Sequence, residues 1–201
     1  MQPIRKMILA VIGAFVLAGA ALAESTLVLG DDGLHKQPFF FDSFLEMGPD
    51  LEEAAAEGKG LVVLWEQRGC PYCRELHAVN FARDDIVEFI SEHFLVVQLD
   101  MWGSRAVTDF DGEEMEERDL ARKWFVNFTP TTIIFPAEAA GATDIRQAEG
   151  FRMPGYFKPF HHLGALAYVQ EGAFADQPFQ RYLQARFDRM EEEGLNPVLW
   201  E

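Results

Sequence analysis

Cys70 and Cys73 are the only cysteines in the chain and stand as Cys70-Pro71-Tyr72-Cys73. Two intervening residues let both sulfurs lie on one turn, close enough for a disulfide. The preceding segment, Gly60-Leu61-Val62-Val63-Leu64-Trp65, is apolar and β-type, and the following one, Arg74-Glu75-Leu76-His77-Ala78, favours helix. A strand that delivers C-x-x-C onto the start of a helix suits thiol–disulfide exchange. Free N–H groups at a helix N-terminus favour thiolate over thiol, and Pro71 fits the first turn, where its missing N–H costs nothing. Cys70, the more exposed member, is expected to attack, with its pKa lowered from ~8.5 to somewhere between ~3.5 and ~7.5. Cys73, one turn in, would resolve the mixed disulfide.

Other readings of the pair compete. A metal site could recruit His77, but a lone C-x-x-C supplies only two ligands and no second pair exists. A structural disulfide and a copper relay are further alternatives, the latter disfavoured by the tight spacing. Redox exchange is the expectation, with no metal and no bound cofactor, since a dithiol itself carries two electrons. Arg68 and Arg74 bracket the motif. Either stabilises the Cys70 thiolate or is a solvated surface charge. Tyr72 adds no charge, so moderate thiolate stabilisation is expected. His161-His162 are adjacent and point to different helix faces, which favours surface or packing roles over a metal pair. Trp65, Trp102 and Trp124 read as core or rim aromatics, with Trp102 the candidate for substrate contact.

The elements that must position these residues follow from periodicity. Asp50 to Glu57 reads as a short acidic helix ended by Gly58 and Gly60, and Leu61 to Glu66 as a strand. After the cysteines, Leu76, Val79 and Phe81 mark the buried face of a helix, with Asp84 or Asp85 capping a continuation through Ile86, Phe89 and Ile90. Phe94 to Leu99 is a second buried strand. Residues 101–114 form an excursion or small hairpin around Phe110-Asp111-Gly112. Glu116 to Trp124 is helical, Thr131 to Phe135 is a third strand, and Ile145 to Gly150 is read as a fourth. Helices return over 157–171 and 178–193. Pro130, directly before a strand, reads on its own as strand punctuation. The order β-α-β-α-β-β-α describes an α/β fold, a thioredoxin-like sandwich with a central mixed sheet flanked by helices, an insertion after the second strand and an extra C-terminal helix.

The N-terminus speaks to compartment. Arg5-Lys6, an apolar run from Met7 to Leu22 and Ala21-Leu22-Ala23 make a secretory signal peptide cleaved after Ala23; a retained anchor is the alternative. The expected division is therefore a signal peptide over 1–23, a leader over 24–49, and a thioredoxin-like domain with its helical extension over 50–201. The mature chain of 178 residues, 201 less 23, suits one domain with additions. With 49% hydrophobic residues and 18 Phe it can bury a core without disulfide staples, so two cysteines in an exported chain read as a working pair. Formal charge is −16, and loss of Arg5 and Lys6 makes it −18. Such a surface disfavours nucleic acid and anionic lipid.

The chain resembles periplasmic thioredoxin-related proteins of bacterial sulfur-oxidation systems, the SoxW-type group. Gly69-Cys70-Pro71-Tyr72-Cys73-Arg74-Glu75-Leu76-His77, Val107 to Gly112, Asp119 to Trp124 and Phe128-Thr129-Pro130-Thr131-Thr132 carry the resemblance, over roughly residues 50–172. It implies that Pro130 is cis and packs against the cysteines, leaving the backbone of Thr129 free to pair with an extended substrate. The Thr129 side chain either bonds locally or faces that substrate. It also implies disulfide reduction or exchange in the periplasm, with electrons from a membrane thiol carrier and a periplasmic protein as the substrate; a monomer is expected. One departure stands out. Thioredoxins carry a buried acid six residues before the first cysteine, where this chain has Leu64. Glu66 lies on the same strand face as Leu64 and is expected to take over the proton transfer, unless it is a partly exposed strand-end carboxylate. A reductase is favoured on this resemblance. An oxidase, an isomerase, and a binding or chaperone module with a structural disulfide remain the alternatives.

Overall fold

The computed structural model describes residues 27–195, so the expected signal peptide lies outside the described residues. The chain enters as a small antiparallel hairpin of β1 (Val28–Leu29) and β2 (His35–Lys36). Residues beyond β2 run beside the sheet: Phe40 bridges Val96, and Phe41 N–H donates to the Val96 carbonyl at 2.8 Å. Helix α1 (Met47–Ala56) follows. It starts almost a turn before Asp50 because Pro49 is accommodated in the first turn, where its missing N–H has no partner to lose.

The central strand is β3 (Gly60–Glu66), buried along its whole length. Then come α2 (Pro71–Glu75), a π-helical turn (Leu76–Asn80), α3 (Asp84–His93) and β4 (Phe94–Asp100). The expected excursion is the hairpin β5 (Ala106–Thr108) and β6 (Glu114–Glu116), which leads into α4 (Glu117–Lys123). Strand β7 (Thr131–Phe135) is followed by α5 (Ile145–Ala148), β8 (Phe151–Pro154), α6 (Pro159–Gln170) and α7 (Phe179–Glu192). The four-stranded sheet has the order β4-β3-β7-β8, with β3 and β4 parallel and the other pairs antiparallel. This is the mixed sheet flanked by helices that the sequence predicts.

Alternation along β3 builds two cores. Leu61, Val63 and Trp65 face α1, α4 and the inserted hairpin, packing with Leu51, Leu120 and Trp124. Val62 and Leu64 face the cysteine helix, α3 and α6, packing with Leu76, Ile86 and Leu166. Each such fully buried side chain contributes roughly 1.5–3 kcal/mol. Helix α7 covers α6, and Gly164 permits the approach: a Cβ there would sit 2.6 Å from Leu183 Cδ1.

Three local expectations need correction. The fourth strand is Phe151–Pro154, not Ile145–Gly150. Asp144 caps a single helical turn by accepting from Arg146 N–H, and the chain returns to the sheet only where Gly150 N–H meets the Ile134 carbonyl. Neither Asp84 nor Asp85 is the N-cap of α3; that residue is Arg83, and both aspartates lie in the first turn, where they favour the helix dipole. Finally, the helix after the cysteines widens into a π turn, Phe81 N–H bonding Leu76 O at 3.0 Å. The buried face there is Leu76, His77, Asn80 and Phe81, so two polar residues enter a face that periodicity reads as apolar.

Candidate active site

Gly69, at φ 72°, turns the chain from β3 onto α2. Cys70 is the N-cap of that helix and Pro71 its first residue, as the spacing predicts. The two sulfurs are joined as a disulfide, with the Cα atoms 5.2 Å apart. Cys70 retains 6% exposure and Cys73 only 2%, so Cys70 is the less buried residue of the pair. Cys70 Sγ receives the Cys73 backbone N–H at 3.0 Å and the Thr129 hydroxyl at 3.4 Å. The Thr129 carbonyl lies 3.5 Å from the same sulfur. The Thr129–Pro130 peptide is cis, and Pro130 is buried. Two donors aimed at one sulfur are the arrangement that stabilises a thiolate there after reduction. The Thr129 side chain is therefore turned to the cysteine.

Glu66 ends β3 on the face of Leu64, fully buried. The reading of a partly exposed strand-end carboxylate is thereby excluded. Its Oε1 accepts from His77 Nε2 at 3.1 Å, and its Oε2 accepts from Gln98 Nε2. Burying a carboxylate costs several kcal/mol unless such donors replace water. His77 follows Cys73 by four positions, where α2 passes into the π turn. It engages Gln37 through Nδ1 at 3.0 Å, so both of its ring nitrogens are occupied by protein partners rather than held for a metal.

The bracketing arginines separate. The Arg68 guanidinium donates to the Asp32 carbonyl at 2.9 and 3.2 Å, tying the loop before Cys70 to the leader hairpin. Arg74 is exposed on α2. Tyr72, 63% exposed, and Trp102, 65% exposed, border a cleft of about 600 Å³ that also reaches Phe128, Thr129 and Tyr156. Trp102 is oriented by its Nε1–H, which donates to Gln67 Oε1 at 2.6 Å. His161 and His162 diverge as expected from their adjacency. His162 is buried beside the Phe81 ring, its pKa pushed down to about 4 by burial, while His161 stays half-buried.

Residues 47–170 match the thioredoxin-like domain family, more than half of the chain. The chain belongs to that family. Similar solved thioredoxin-like structures include a thioredoxin-fold protein from Helicobacter pylori, 19% identical with a TM-score of 0.49 over 65% of this chain and 86% of that one. A thioredoxin from Thermus thermophilus is 21% identical with a TM-score of 0.47 over 60% of this chain and 81% of that one. The C-terminal domain of DsbD from Neisseria meningitidis, in its oxidised form, is 11% identical with a TM-score of 0.41 over 62% and 91%. No curated protein matches the chain. A thioredoxin-like domain with C-x-x-C closed as a disulfide at a helix start supports thiol–disulfide oxidoreductase chemistry.

Sequence reasoning missed Lys36, Gln37 and Gln98 at this site, and it weighed His77 only as a metal ligand. One signal was available. Gln98 is the sole polar residue in Phe94-Leu95-Val96-Val97-Gln98-Leu99, and a buried amide requires partners.

Proposed function

We propose that the protein is an exported thiol–disulfide oxidoreductase that reduces a disulfide in a periplasmic protein partner, using the Cys70–Cys73 couple and no bound cofactor. The observation that carries this reading is the pair itself, with Cys70 the less buried of the two and Thr129 donating to its sulfur. The Cys70 thiolate attacks one sulfur of the partner disulfide. The new S–S bond forms as the old one breaks, and the leaving sulfur takes the electron pair and then a proton. Cys73 gives its proton to the Glu66 carboxylate and attacks Cys70 Sγ, closing the intramolecular disulfide and releasing the second partner thiolate. Two electrons pass to the partner, with one proton from Cys73 by way of Glu66 and the other from solvent. A membrane thiol carrier returns the pair to the dithiol state, in keeping with the SoxW-type resemblance and the signal peptide expected over 1–23. A monomer suffices for each of these steps.

Direction is set by potential rather than by fold. Equilibration of the mature protein in graded thiol buffers is expected to give a potential near ~−270 mV, as for thioredoxin, with insulin reduced catalytically. A value near ~−120 mV would instead make the protein a donor of disulfides. A disulfide that stays closed in mild thiol buffers, with no turnover of insulin, would leave a binding module with a structural bond.

A further inference from the structure

The leader ahead of α1 takes no part in the redox steps above, yet three consecutive residues of it close on Glu66. The His35 carbonyl accepts from Gln98 Nε2 at 2.7 Å. Lys36 Nζ donates to Gln98 Oε1 at 2.7 Å. Gln37 Nε2 meets His77 Nδ1 at 3.0 Å. The orientation of the Gln98 amide is dictated by these partners. An ammonium only donates, so it faces the amide oxygen; a carbonyl and a carboxylate only accept, so they face the NH2. One amide thus stands between the Lys36 ammonium and the Glu66 carboxylate, its dipole aligned with both, and relays a positive charge to a carboxylate that Lys36 does not touch. On the other side, the Gln37 amide N–H directed at Nδ1 leaves Nε2 as the N–H that His77 gives to Glu66.

The charged and titratable groups around Glu66 come from several elements. His77 touches it from the π turn, with the His35 ring 5.3 Å from the His77 ring. Asp100 is its register partner on β4. Lys36 is paired with Asp32, and Arg105 donates to the Gln98 carbonyl and to Glu117. Arg74 bears on His35, and His162 stands beyond the Phe81 ring. Among these, Lys36 is the cation with a hydrogen-bonded path to Glu66.

We propose that residues 35–37 belong to the redox machinery: Lys36 and Gln37 are positioning residues that, through Gln98 and His77, hold the Glu66 carboxylate in place as the acceptor of the Cys73 proton. This rests on the reading of Glu66 given above. In the step concerned, the Cys73 S–H bond breaks as an O–H bond forms on Glu66, using a lone pair not engaged by His77 or Gln98. The proton then leaves with the departing partner thiolate.

The test uses the full mature chain, reduced and mixed with the aromatic disulfide DTNB. The first thionitrobenzoate released reports Cys70 attack, and the second reports resolution by Cys73. Both are followed from about pH 5 to about pH 9, a range that spans thiol ionisation. Lys36→Met is expected to slow the second release roughly tenfold near pH ~6 and to move its half-maximal rate up by about one pH unit, leaving the first release unchanged. Lys36→Arg keeps the charge and is expected to restore the profile, and Gln37→Leu is expected to shift it in the same direction as Lys36→Met. In a Glu66→Gln background, Lys36→Met should change nothing further. A Lys36→Met profile superimposed on that of the wild type, or an equal slowing in the Glu66→Gln background, would overturn the proposal. Failure of the wild type to release the second equivalent would sink the redox reading itself, which is a different result.

Discussion

Thr129 Oγ1 stands 3.4 Å from Cys70 Sγ, although 59 positions separate the two residues. The hydroxyl has a single proton, and the geometry directs it to the sulfur that would carry negative charge after reduction. Replacing Thr129 by Val keeps the branched shape and removes the donor, leaving only the Cys73 N–H on that sulfur. The Cys70 thiolate is then less stabilised, so its pKa is expected to rise by about one unit, read from thiolate absorbance against pH. Because the reduced form loses that stabilisation, the couple becomes more reducing by up to about 30 mV. An unchanged titration would mean the hydroxyl only braces the loop.

Glu66 and His77 form a fully buried pair, each within 1% of zero side-chain exposure. Removing one partner leaves the other desolvated and uncompensated. His77→Leu removes the N–H that the Glu66 carboxylate accepts and is expected to lower unfolding stability by about 1.5–3 kcal/mol, measured by denaturant titration. The Glu66→Leu/His77→Leu double variant should cost much less than the sum of the two single changes, since no charge is then stranded. Additive losses would indicate that packing, rather than the pair, holds this region together.

The legibility of this site follows from distance along the chain. The C-x-x-C, its helix and the alternation that puts Glu66 under Leu64 lie within a dozen residues, and local periodicity reports all of them. The Lys36–Gln98 bond spans 62 positions and the Gln37–His77 bond spans 40, and no local pattern encodes such pairings. The π turn escaped for a related reason. One extra residue per turn shifts His77 and Asn80 inward, and tertiary partners impose it: Glu66 for His77, and the Phe157 carbonyl and Tyr156 hydroxyl for Asn80. The misplaced fourth strand is a capping effect, since Ile145 is apolar but Asp144 organises a turn before the chain can extend.

Trp102 is exposed at the cleft beside Thr129 and is held in place by Gln67. A rigid, oriented aromatic ring at the mouth of a site contributes contact area to a protein partner at little entropic cost. Trp102→Ala is expected to raise KM for a protein disulfide such as insulin by roughly thirtyfold, the size of an interface hot spot. The rate with a small disulfide, which reaches Cys70 without covering the cleft, should stay the same. Equal losses with both substrates would place the effect in the site's structure instead.

His162 and Asp50 push acid stability in opposite directions. His162 is buried, and its folded pKa of about 4 lies below the ordinary 6.5 because burial disfavours the imidazolium. The unfolded chain therefore takes up this proton first as pH falls, so stability present above about pH 6.5 is lost toward pH 4, by about 3 kcal/mol. Asp50 is raised from 3.8 to about 6, chiefly by burial, against the Ser43 hydrogen bond that favours its charged form. Here the folded chain binds the proton first, so stability is gained as pH falls through about 6 toward 3.8. The two effects oppose each other across the same window. Relative to the wild type, His162→Leu should become progressively more stable between pH 6.5 and 4, while Asp50→Asn should become progressively less stable. Denaturation midpoints of the three proteins at a series of pH values check both slopes, and parallel curves would show that neither group titrates differently on folding.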